Sequence, residues 1–103
     1  MAQPFSISDE DRREALIKAA AVRRERAELR DQLKAGDISL SDLFGRLDDD
    51  TVGKMKVLVV IESLPGVGKV KARRAMEGIG ISESRRMRGL GSRQRSRLLD
   101  AFG

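Results

Sequence analysis

The chain has 103 residues, 40% of them apolar and 36% charged, with a formal net charge of +5 and a pI near 10.2. That length supports one domain and a modest core, which three Phe and no Trp or Tyr leave to Leu, Ile, Val, Ala and Met. Without Cys or His the chain has no disulfide, no thiolate zinc site and no imidazole for acid–base work. It also points to no cofactor.

Residues 1–50 carry 9 Lys/Arg against 12 Asp/Glu, whereas residues 51–103 carry 12 against 4. The basic excess therefore belongs to the second half, and it points to a polyanionic partner rather than to a fold. The division also suggests an organisation: 1–50 as tail, long helix and short helix, 51–103 as a binding module, the two forming one compact domain. The N-terminus lacks the layout of a signal peptide. The longest purely apolar run, Val57 to Ile61, is too short to span a membrane. The expected location is the cytoplasm.

Residues 1–7 read as a short tail. Ser8, followed by Asp9-Glu10-Asp11, reads as an N-cap with acids in the first turn, and nothing breaks a helix before Gly36. Ala15, Ala19, Val22, Leu29 and Leu33 form one stripe, interrupted by Arg26. A helix this long exceeds what a small core covers, so its N-terminal half should project. Glu14 with Lys18, and Arg24 with Glu28, have i,i+4 spacing. Arg23, Arg24 and Arg26 offer a second backbone-contacting face. The intermingled acids favour a solvated helix surface instead.

A second helix opens at Ser39, with Leu40, Leu43, Phe44 and Leu47 on one face. Asp48-Asp49-Asp50 are three adjacent carboxylates, but consecutive residues do not converge on one ion without a loop folded around it, so a capping linker is favoured. Thr51 to Leu64 has a strand-like centre, yet no second strand exists to pair with it. Apolar residues on all sides predict one central helix, capped by Asp50 or Thr51.

Pro65 should stop that helix at Leu64. Gly66 and Gly68 permit positive φ and keep the backbone bare. The amides of Gly68, Lys69 and Val70 would then stand unpaired at a helix start, where the dipole favours an anion, with Lys69 and Lys71 adding charge. The following helix should run from Val70 to Glu77 and end at Gly78 and Gly80. Ser82-Glu83-Ser84 should start a short helical turn carrying Arg85, Arg86, Met87 and Arg88. Gly89-Leu90-Gly91 reads as a second glycine turn, and Ser92 as the cap of a last helix from Arg93 to Phe102. The fold class is all-α.

The two glycine turns, each before a helix start and beside cations, are more telling together than either alone. Leu64-Pro65-Gly66-Val67-Gly68-Lys69 fits a helix–hairpin–helix module gripping phosphates without reading sequence. The absence of stacking aromatics disfavours single-strand binding. A dinucleotide fingerprint lacks its third glycine, and a P-loop lacks its Ser/Thr, because Val70 follows Lys69. Arg85, Arg86 and Arg88 have only Glu83 and Asp100 as acids nearby in sequence, which favours phosphate contact. Arg93, beside the second turn, follows, with Arg95 and Arg97 less clear.

Gly53-Lys54-Met55-Lys56-Val57, Leu64-Pro65-x-Val67-Gly68-Lys69-Val70 and Arg85-Arg86-x-Arg88-Gly89-Leu90-Gly91-x-Arg93-Gln94-Arg95 resemble the actinobacterial-type integration host factor family. Lys18-Ala19-Ala20 and Arg23-Arg24-x-Arg26-Ala27-Glu28-Leu29 extend the resemblance over nearly the whole chain. It implies a small, monomeric, all-helical protein of the nucleoid that binds and bends duplex DNA through a helix–two-turn–helix module and assists phage integration, alongside an integrase–DNA complex. The implied contacts are Gly66, Val67, Gly68, Lys69, Arg85, Arg86 and Arg88. Gly66 stands where the family is often basic, which removes one phosphate contact. A structural RNA-binding protein of ribosomal type, using the same hairpin, is the alternative. A glycosylase-type enzyme is disfavoured, because Pro4 is internal and zinc-finger residues are absent.

Overall fold

The structure is a computed structural model describing residues 8–103; the tail expected over residues 1–7 lies outside the described residues. It contains α1 (Asp9–Ala35), α2 (Leu40–Phe44), α3 (Asp50–Lys54), α4 (Val57–Ser63), α5 (Gly68–Ile79), a 3-10 turn (Met87–Gly89) and α6 (Ser92–Phe102). The all-α expectation holds, with no strand among the described residues beyond an isolated Lys56–Arg86 bridge. No described helix is long and apolar enough to cross a membrane.

The ends of α1 follow from local chemistry. The Ser8 hydroxyl accepts the Asp11 N–H at 3.1 Å, and three acids occupy the first turn. At the other end Asp37 N–H reaches the Gln32 carbonyl at 2.9 Å, closing the helix past Gly36. Only Leu29 and Leu33 of the apolar stripe are buried, while Ala15 and Ala19 are exposed and Val22 is half-buried. Leu16 and Ile17 are 63% and 62% exposed. The N-terminal half of α1 therefore projects, and the molecule measures 54 × 27 × 25 Å. Neither Glu14–Lys18 nor Arg24–Glu28 forms an ion pair; among the described residues the pairs are Arg46–Asp49, Arg73–Glu83 and Arg88–Asp50.

Ser39 and Asp42 close a reciprocal capping box on α2, each side chain accepting the other's backbone N–H at 3.1 and 2.8 Å. Asp49, within the acidic run, caps α3 by accepting the Thr51 and Val52 amides at 2.8 and 3.3 Å. The Thr51 hydroxyl donates to Glu25 at 2.6 Å and ties α3 to α1.

The single helix expected over Thr51–Leu64 is two. Met55 and Lys56 are extended, with ψ of 141° and 137°. Their backbone pairs with the segment that follows α5: Met87 N–H donates to the Met55 carbonyl at 2.8 Å, and Val57 N–H to the Arg85 carbonyl at 2.9 Å. This partner far downstream supplies the hydrogen bonds that a continuous helix would have made internally. The break also turns Val52 and Met55 of one piece, and Val57, Val60 and Ile61 of the next, into one core with Leu33, Leu43, Met76 and Leu98.

Three further expectations are corrected. α5 is longer than Val70–Glu77: Gly78 lies inside it, and Gly80 closes it. The short helical turn expected over Ser82–Arg88 is confined to the 3-10 turn Met87–Gly89; before it, a turn at Glu83-Ser84 leads into extended Arg86, which the bridge to Lys56 holds open. The last helix starts at Ser92 and is capped by Gly91 rather than by Ser92, with the Gln94 side chain accepting the Gly91 N–H at 3.0 Å.

Candidate nucleic-acid interface

The first glycine turn has the expected form. α4 ends at Ser63, Leu64 is extended before Pro65, and Gly66 and Gly68 take φ of 74° and 71°. Those angles strain any residue with a Cβ, so both positions require glycine. Val67 N–H returns to the Leu64 carbonyl at 3.2 Å, the i to i+3 closure of a turn with Pro second and Gly third. α5 begins at Gly68 with no side-chain cap, so its first amides face outward at the positive end of the helix dipole. Lys69, Val70 and Lys71 are exposed around them, Val70 at 66%. Lys34, from the end of α1, lines the same shallow depression as Leu64–Gly68, and Glu62 is its acidic neighbour. Sequence reading missed Lys34, because only the packing of α1 beside α4 brings it there.

The second turn is not a twin of the first. Gly89 lies in the 3-10 turn, Leu90 is buried, and Gly91 has φ of −75°. A Cβ at Gly89 would stand 3.1 Å from Cδ of the exposed Arg85 side chain, which would have to give by a few tenths of an ångström. The start of α6 lies at the far end of α5 from the hairpin, since the Gln94 amide reaches the Gly80 carbonyl at 3.5 Å. Twelve helical rises from Gly68 to Gly80 put the two helix starts roughly 18 Å apart. Arg93 is exposed on the first turn of α6, and Arg95 is half-buried.

The arginine segment is anchored from within. Arg85 donates to the Gly89 carbonyl at 3.4 Å, and the Arg86 guanidinium donates to the Lys54 carbonyl. Arg88 holds Asp50 at 3.0 Å and the Leu47 carbonyl at 3.4 and 3.5 Å. The acid partner for Arg88 thus comes from the distant aspartate run, not from Glu83 or Asp100; Glu83 pairs with Arg73 on α5 at 3.4 Å. The hydrogen bond from Arg88 holds the Asp50 carboxyl below its ordinary range, helped by the charge of Lys54. No cluster of three or more Asp, Glu, His or Cys that could hold a metal occurs among the described residues.

Arg86 faces α1. Together with Arg23, Arg26, Arg30, Lys54 and Lys56 it lines a cleft of about 370 Å³, completed by Met55 and Val59. Arg24 is exposed and does not line it. The structure therefore joins two of the three helix-1 arginines to the basic segment and leaves the third outside. Arg30 was not singled out from the sequence, and Lys54 and Lys56 were read only as part of the family motif, not as contacts. The spacing of Arg23, Arg26 and Arg30 by three and four residues was the available signal for the first.

Residues 33–102 match the S13-like H2TH domain. The integration host factor of Streptomyces coelicolor is 53% identical over 98 residues, covering 94% of this chain and 92% of that protein. The integration host factor of Mycobacterium tuberculosis is 52% identical over 104 residues, covering 100% and 98%. Among solved structures, that of sIHF bound to an 8-bp palindromic DNA superposes with a TM-score of 0.80 at 55% identity, covering 84% of this chain and 98% of that one. Near-complete coverage at half identity, on an all-helical frame with the same domain, leaves no ambiguity of kinship: the chain belongs to the integration host factor family.

Proposed function

We propose that this protein binds duplex DNA through its phosphates, with little sequence preference, and so organises and bends nucleoid DNA and assists site-specific phage integration in company with an integrase–DNA complex. It acts as a monomer, without catalysis, in the nucleoid. The observation that carries this reading is the uncapped start of α5 behind the Gly66–Gly68 turn, flanked by Lys69 and Lys71. It occurs in a chain 55% identical to a protein solved on DNA. Backbone amides at a helix start, together with Lys and Arg, bind phosphate oxygens and carry no base code. In this reading Gly66, Val67, Gly68, Lys69, Val70 and Lys71 hold one rail. Arg85, Arg86, Arg88, Arg93 and Arg95 hold the other, and Arg23, Arg24 and Arg26 offer a second contact.

Gel-shift titrations over a range of salt, with random and defined duplexes, test it. Lys69→Ala, Arg85→Ala and Arg86→Ala each weaken binding to all sequences alike and flatten the log-affinity slope by roughly one unit for each phosphate no longer neutralised. Arg88→Ala flattens it less, because Arg88 must first leave Asp50. Unchanged slopes remove these residues from the interface. A preference for structured RNA at matched salt replaces the reading with the ribosomal-type alternative.

A further inference from the structure

The cleft between α1 and the α3–α4 junction draws six cationic side chains from three separate stretches of chain: Arg23, Arg26 and Arg30, then Lys54 and Lys56, then Arg86. No carboxylate lines it. None of these six forms an ion pair among the described residues. The buried Nε–H of Arg26 finds no acceptor in the protein. The Arg86 guanidinium is held by the Lys54 carbonyl, and the Lys56 backbone by its bridge to Arg86. Like charges gathered around a concave space repel one another until an anion enters. A depression beside the cleft shares Arg23, Arg26 and Lys54 and adds Lys18, with Asp50, already paired with Arg88, as its one acid.

We propose that this cleft is a binding site for a compact oligophosphate, a run of three or more linked phosphoryl groups. The shape of the site favours such a ligand over a duplex rail. One DNA strand spaces its phosphates about 3.4 Å apart along the axis of a convex rod, so few of them can enter a single concave space. A linked phosphate chain concentrates several negative charges within the cleft and gives each guanidinium fork an oxygen pair. Its source can be a linear inorganic chain or the phosphate tail of a nucleotide, since the chemistry that the six cations read is the same.

Isothermal titration of the full chain with inorganic tripolyphosphate, ATP and orthophosphate tests this. Tripolyphosphate binds at one saturable site per chain, and orthophosphate binds at least tenfold more weakly. ATP binding as tightly as tripolyphosphate identifies the phosphate tail as sufficient; tripolyphosphate binding alone identifies the inorganic chain. Arg30→Gln and Lys56→Gln, both exposed positions, each weaken tripolyphosphate at least fivefold while circular dichroism shows the helical fold retained. Arg74→Gln, an equal charge change on α5 outside the cleft, leaves tripolyphosphate affinity within twofold. Multiple non-saturating events, or an equal loss in Arg74→Gln, overturn the proposal. So does a result in which Arg30→Gln and Lys56→Gln lose duplex affinity but keep tripolyphosphate. Wild-type duplex binding is measured separately, so failure here leaves the reading of the hairpin standing.

Discussion

Gly53 gives the most direct test of how the basic segment is seated. It lies in α3, buried, where a Cβ would stand 2.6 Å from the Leu47 carbonyl oxygen and 2.8 and 2.9 Å from Arg88 Nε and Nη2. The guanidinium can swing away, but the Leu47 oxygen is backbone and must move with the turn between α2 and α3. Overpacking of this kind costs about 1–3 kcal/mol, and the alanine's helix propensity offsets about 1 kcal/mol of that. Gly53→Ala should therefore destabilise the protein by up to about 2 kcal/mol, lowering Tm by up to roughly 15 °C for a domain of this size. Gly78→Ala is the matched control. It changes the same atom on a helix, but nothing lies within 4 Å of the new Cβ, and Gly78 is not among the glycines at positive φ. It should gain up to about 1 kcal/mol. With no Trp or Tyr to follow by fluorescence, thermal melts by far-ultraviolet circular dichroism are the assay. If Gly53→Ala melts at or above wild type, the seating of Arg88 on the floor of α3 is not the tight packing described.

Asp42 is held below the ordinary carboxylate range chiefly by the Ser39 backbone N–H, and Asp50 chiefly by Arg88. A carboxyl depressed in the folded state contributes stability above its unfolded value, about 4, and loses it as pH falls through the folded value. Thermal melts should therefore be flat between about pH 5 and 8, where a chain without His has no side chain with an ordinary titration. They should fall below about pH 4, and less steeply in Asp42→Asn, which is already less stable at neutral pH. Thr51→Val removes the hydroxyl that donates to Glu25 while keeping the volume of a buried side chain. A decrease of about 1–2 kcal/mol in the same melts is expected, and no decrease means that α1 is held by apolar packing alone.

The parts of the fold legible in the sequence are those decided within a few residues. Ser8 and Gly36 bound α1, Ser39 and Asp42 start α2, and Pro65 with Gly66 and Gly68 makes the hairpin, because caps and turns satisfy backbone groups locally. The break at Met55-Lys56 was not legible, since its hydrogen-bond partners lie on the far side of α5. The same limit applied to the site. The cationic character of residues 85–95 was plain. That Arg88 would meet Asp50 and Leu47, that Arg86 would face Arg23, Arg26 and Arg30, and that Arg24 would not, depends on how α1 lies across α3 and α4. Gly89-Leu90-Gly91 misled for a related reason. Its pattern matches the first turn, but Leu90 is drawn into the core and the glycines keep negative φ.

That burial of Leu90 explains how so basic a segment holds a defined course. Along residues 85–90 the buried side chains are Met87 and Leu90, set among exposed Arg85, Arg86 and Arg88. Burial of two large apolar side chains contributes about 1.5–3 kcal/mol each, more than the screened repulsion between exposed guanidinium groups. The backbone pairing with Met55 and Val57 fixes the direction in which each arginine leaves the chain. The core and the bridge thus set the arrangement, and the charges are carried by it. A basic segment without such anchors would collapse onto a polyanion in many ways. This one presents its arginines already separated: Arg86 towards α1, Arg88 towards α3, and Arg85 over the 3-10 turn. On the proposed reading, little conformational entropy would remain to be given up when an anion binds, and affinity would come from preorganised charge rather than from the amount of charge.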